Sequence, residues 1–168
     1  VSVTYSTVYD LAVIRGPDMP SGIQGIPICD SKKSPMGYDT LFYFLGFPFG
    51  LSVETEFGTS LFNLPLVKRA WLAGSVPIDN KSHRLMVLDA INNYGFSGGP
   101  IVLTSPGLAP FSVCLVGVTI GFLPRSEQVV VSGKKIEASV PYNTGLMFGV
   151  PAIGIREVLE ASQKPPKN

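Results

Sequence analysis

Apolar residues in this chain fall into short runs closed by glycine, proline or polar clusters, and rarely at helical spacing. Val1, Val3 and Tyr5 alternate with polar positions, and an apolar run to Ile14 follows, interrupted by Asp10. Gly16 to Tyr38 is polar and broken by Pro17, Pro20, Gly22, Gly25, Pro27, Pro35 and Gly37, so it reads as a long surface connection between two halves. Leu41–Phe47 is an aromatic and aliphatic strand, ended by a turn at Gly46–Gly50, and Val53–Phe57 alternates as the next strand. Trp71–Val76 and Arg84–Ala90 flank a polar, hairpin-like segment, Pro77–His83. Ile101–Leu103, Val113–Phe122, Gln128–Ser132 and Ile136–Val140 continue the pattern, with a turn at Gly133–Lys135, and Gly145–Pro151 is a last short strand. Only beyond Pro151 does the period change. Ile155, Val158 and Leu159 predict a helix over Ile153–Ser162, and Gln163–Asn168 reads as a tail or linker.

The expected fold is therefore all-β with one closing helix. Composition adds limits. The 168 residues suffice for one domain or two small halves. Hydrophobic residues make up 45% and charged residues 15%, which argues for a packed body with little disorder. A net charge of +1 gives no electrostatic case for nucleic acid or an anionic membrane. The longest apolar stretch, Val113–Leu123, is too short to span a bilayer and is interrupted at Gly117, Thr119 and Gly121. The first residue is valine, which suggests a processed product, an excised domain or a fragment. One histidine and two distant cysteines offer no metal-ligand spacing, no nucleotide fingerprint occurs, and no cofactor is expected. Cys114, in an apolar run, reads most simply as a buried free thiol, and two cysteines do not decide the redox compartment.

The stretch with the most chemistry is Asn92-Asn93-Tyr94-Gly95-Phe96-Ser97-Gly98-Gly99-Pro100. Glycines on both sides of a serine permit turn conformations closed to other residues and let amide hydrogens approach a ligand. An acyl-transfer nucleophile and its oxyanion donors need that arrangement, although a Gly-rich turn leading into a strand gives the same pattern. Asp10 is a lone carboxylate entering an apolar strand. It is either paired and buried or placed at the strand's exposed start.

Asp89-Ala90-Ile91-Asn92 followed by Gly95-Phe96-Ser97-Gly98-Gly99-Pro100 resembles the serine motif of the trypsin-like peptidases, closest to the HtrA/Deg-type branch. Asp10-Leu11-Ala12-Val13-Ile14, Leu45-Gly46-Phe47-Pro48-Phe49-Gly50-Leu51 and Gly145–Pro151 resemble further elements of that family, in its order. The resemblance implies a chymotrypsin-like fold, an antiparallel β-barrel pair with the site in the cleft between them. Residues 1–16 would end the N-terminal barrel, 17–38 would connect, and 39–151 would form the C-terminal barrel, with the helix at 152–162 and a tail at 163–168. It implies Ser97 as nucleophile, Gly95 and Ser97 N–H groups as oxyanion hole, and Asp10 as the carboxylate that orients a histidine. Ile91, Thr119, Ile120 and Gly121 would bind substrate, a polypeptide, with Ile91 as an apolar floor favouring aliphatic or aromatic side chains. Phe96 departs from the aspartate that many trypsin-like enzymes use in activation, so that route is not expected.

The family's base histidine precedes its aspartate by several tens of residues, and only nine residues precede Asp10 here. The sole histidine, His83, lies in a polar segment that reads as a solvated loop. A serine without a base is a poor nucleophile. Three readings stay open: the C-terminal portion of a serine endopeptidase whose first barrel, with its histidine, is missing; a non-catalytic module that binds a peptide or protein; or an unrelated β-protein. The missing barrel or an oligomer partner would then cover the exposed apolar face.

Overall fold

The structure, a computed structural model, describes residues 1–16, 25–30, 36–57, 60–79, 82–104 and 113–163. Most of the expected connection, at 17–24 and 31–35, and the tail at 164–168 lie outside the described residues.

The chain is mostly β, as its punctuation predicts. β1 (Ser2–Tyr5) and β2 (Ala12–Arg15) form a small antiparallel hairpin. β3 (Leu41–Gly46) enters the main sheet and ends in a 3₁₀ turn at Pro48–Gly50. β4 (Val53–Phe57) and β5 (Ser60–Leu64) form a separate hairpin. β6 (Leu66–Pro77), β7 (Arg84–Asp89), β8 (Pro100–Thr104), β9 (Val113–Val131) and β10 (Lys134–Pro151) follow, and α1 (Ala152–Gln163) closes the chain. Six strands close into a barrel in the order β10-β7-β6-β3-β8-β9.

Inward-facing apolar positions drive that closure. On β3 the alternate residues Phe42 and Phe44 are fully buried, and Ala70, Leu88, Ile101, Val116 and Met147 meet them from other barrel strands. Closing the sheet leaves neither β3 nor β8 as an open edge. β9 and β10 are longer than the runs that predict them. They merge four expected strands into two that reverse at Ser132–Gly133, both with positive φ, and extend as a two-stranded arm. Val130, Val131, Ile136, Val140 and Tyr142 on this arm are exposed.

The expectation for the cysteines fails. Cys114 is not a free thiol: it forms a disulfide with Cys29, with Cα atoms 5.0 Å apart. The pairing follows from the path of residues 25–30. Cys29 N–H donates to Leu115 O (2.9 Å), Leu115 N–H donates to Pro27 O (2.7 Å), and Ile28 bridges Leu115 in parallel. The described part of the connection at Pro27–Cys29 is thus strapped along β9, and Cys29 becomes a core residue, 4% exposed.

A cross-link between positions 85 residues apart restricts the unfolded chain strongly. Replacing both cysteines by serine should lower unfolding free energy by about 2–4 kcal/mol in a urea titration. A double variant as stable as the parent would show that the strap is held by its backbone bonds alone.

Candidate active site

The Ser97 turn is locked to the turn after β3. Phe96 is fully buried and meets Phe44 edge to face, ring centroids 4.9 Å apart. Phe47 N–H donates to Gly95 O (3.0 Å), and Phe49 N–H donates to Tyr94 O (3.3 Å). The approach leaves no room for side chains. A Cβ on Gly95 would lie 2.4 Å from Phe47 O, and one on Gly99 only 1.9 Å from Leu45 O. Gly95 also has φ +98°, open to glycine and costly for other residues. Phe49 itself adopts φ +56°, an outlier for a bulky side chain that the interlocked turns hold in place.

β9 holds the other side. Gly98 N–H donates to Thr119 O (2.7 Å), and Thr119 N–H donates to Gly99 O (2.9 Å). The Ser97 hydroxyl is exposed and donates to Ile120 O at 3.2 Å. By contrast, the N–H groups of Gly95 and Ser97 donate to no acceptor among the described residues. Ser97 stands where three cavities meet. One of about 340 Å³ lies toward Phe47 and Pro65, and one of about 210 Å³ toward Tyr94, Gly121 and Phe122. The third, of about 470 Å³, is lined by Asp10, Leu11 and Ala12 on one wall and Ser97, Thr119 and Ile120 on the other.

Asp10, exposed, is brought there from the far end of the chain by its neighbour Tyr9. Tyr9 is 6% exposed and packs so closely on α1 that a Cβ at Gly154 would lie 2.7 Å from its ring. The Ser6 hydroxyl accepts the N–H groups of Val8 and Tyr9 (3.1 and 2.9 Å), and Ser6 N–H donates to Leu11 O (2.9 Å), which shapes the loop carrying Asp10. Burial, then the nearby Glu157 carboxylate, pushes the Tyr9 phenol above its usual pKa.

Of the expected site residues, Ser97, Gly95, Asp10, Thr119, Ile120 and Gly121 gather around these cavities. Ile91 does not. It is 61% exposed and lines none of the three, because its neighbour Asn92 takes the inward position, fully buried. The Asn92 amide donates to Gly121 O (3.2 Å), and Asn143 donates to Asn92 O. Lys68 donates to Ile91 O and lies about 6 Å from the Phe44 and Phe96 ring centroids, with burial lowering its pKa. Sequence reading missed Asn92, Asn143 and Lys68. An asparagine pair flanking the glycine turn is their only trace there.

His83 is not the solvated loop residue expected. Its Nδ1 lies 2.8 Å from Asp79 Oδ2, its Nε2 3.6 Å from Glu157 Oε2, and its ring meets Tyr9 edge to face with centroids 5.8 Å apart. Both nitrogens face carboxylates on the β6–β7 turn and α1, and the imidazole buttresses Tyr9 from behind. No metal-binding cluster occurs among the described residues. No protein-family profile matches the chain, and no curated protein sequence matches it.

The two glycines after Ser97 should differ sharply on substitution. Gly99→Ala forces backbone apart and should cost about 3 kcal/mol or more, while Gly98→Ala, in open space at φ +82°, should cost about 1–2 kcal/mol. Equal losses in chemical denaturation would show that the turns are not interlocked as described.

Proposed function

We propose that this chain carries the nucleophile-bearing part of a trypsin-like serine endopeptidase, with a chymotrypsin-like barrel related to the HtrA/Deg-type branch. The observation that carries this reading is the cavity shared by Asp10 and Ser97, residues 87 positions apart in the chain. A carboxylate with no ion-pair partner among the described residues and a serine hydroxyl across one space suit an imidazole between them, oriented by the first and bonded to the second.

In that reading the Ser97 Oγ attacks the scissile carbonyl of a polypeptide. Its proton passes to the imidazole, and the same proton goes to the leaving amine as the peptide C–N bond breaks. The unengaged N–H groups of Gly95 and Ser97 receive the developing oxyanion. Water then hydrolyses the acyl-enzyme and regenerates Ser97. His83, the chain's one histidine, is committed to Asp79, Glu157 and Tyr9, so the imidazole comes from another segment, such as a first barrel or an oligomer partner.

One observation favours a second reading. The Ser97 hydroxyl is bonded to a backbone carbonyl, as suits a module that holds a peptide beside β9 without cleaving it.

Free imidazole separates the two. With a fluorophosphonate and imidazole, intact-mass analysis should show one adduct forming about tenfold faster or more than without imidazole. Ser97→Ala should abolish the adduct, Asp10→Asn should remove most of the acceleration, and His83→Ala should label like the parent. Absence of an adduct, or the same adduct on Ser97→Ala, would sink the endopeptidase reading and leave the binding module.

A further inference from the structure

A fourth cavity, of about 450 Å³, lies at the junction of the barrel, the disulfide and the start of α1. It shares no lining residue with the cavities around Ser97. Its volume falls within the roughly 300–1,000 Å³ of small-molecule sites. Met36, Leu72, Met86, Val116 and Ala152 make its wall apolar, and the disulfide-bonded Cys29 also lines it. Arg156 is the one cation that lines it among the described residues. One guanidinium N–H donates to Cys29 O at 2.8 Å, which fixes the group against the strap. A guanidinium has five donors, and the other four meet no acceptor among the described residues. No carboxylate among them pairs with it.

We propose that this cavity binds a medium-chain aliphatic carboxylate, its chain among Met36, Leu72 and Met86 and its head on Arg156. The recognition is physical complementarity at both ends. The apolar wall gains from taking a hydrocarbon chain out of water, and a planar carboxylate matches the paired donors of a guanidinium that has no counter-ion among the described residues. A neutral chain of equal length keeps the first gain and loses the second. The site stands independently of the reading of Ser97, since it shares no residue with it.

Decanoate and decanol, kept below their aggregation limits, test the proposal on protein labelled with ¹³C-methyl methionine. Decanoate should shift the Met36 and Met86 methyl resonances saturably, and decanol should bind about tenfold more weakly. Ala152→Phe, which fills the cavity, should abolish the shifts. Arg156→Gln, at an exposed position that leaves folding intact, should weaken decanoate about tenfold and leave decanol unchanged. The absence of saturable shifts would overturn the proposal. So would equal decanoate binding by Arg156→Gln, or shifts that persist in a folded Ala152→Phe.

Discussion

The site depends on the burial of Phe96. Its ring lies against Phe44 inside the barrel, so the residue before Ser97 is an anchor and Ser97 itself is forced to the surface. A buried aromatic contributes several kcal/mol, more than enough to hold a short turn that glycines leave intrinsically floppy. The glycines then do something other than confer freedom. Gly95 and Gly99 let two backbones touch at distances that any Cβ would forbid, and Phe47 and Phe49 are tied to the turn across that contact. Rigidity and exposure at Ser97 come from one piece of packing. A reactive hydroxyl needs both, and so does a fixed point of peptide attachment.

The second half of the arrangement is long-range. Asp10 reaches the Ser97 cavity because Tyr9, one residue earlier, is wedged between Gly154 of α1 and the edge of His83. The terminal helix and the β6–β7 turn therefore place a group that lies close to neither in sequence. His83, the residue type a search for catalytic bases notices first, sits between two carboxylates behind Tyr9. There its ring meets Tyr9 edge to face.

Much of this was legible in the residues. The aromatic and aliphatic run at Leu41–Phe47 marks β3, and the shift to helical spacing after Pro151 marks α1 within a residue of each end. The serine turn announces itself through its glycines. What was hidden depends on topology. Cys29 and Cys114 lie on segments whose adjacency follows only from the path along β9. Ile91 and Asn92 are neighbours of opposite orientation, and apolar character alone does not show which is inside: the polar Asn92 is buried, its amide donating to Gly121 O, while Ile91 is exposed. Leu66–Ala70 was not read as strand because its lysine and arginine mask an alternation that becomes visible once Ala70 faces the core.

The central claim is geometric: the Ser97 turn offers an exposed hydroxyl, and two amide N–H groups that meet no acceptor among the described residues, beside a cavity bordered by Asp10. A crystal structure of the phosphonylated protein, prepared with imidazole, tests it most directly. The account predicts a phosphonyl oxygen accepting hydrogen bonds from the N–H groups of both Gly95 and Ser97, with imidazole density between the adduct and the Asp10 carboxylate. An adduct whose oxygen points to solvent, with both amides unengaged and the Asp10 cavity closed, would contradict it.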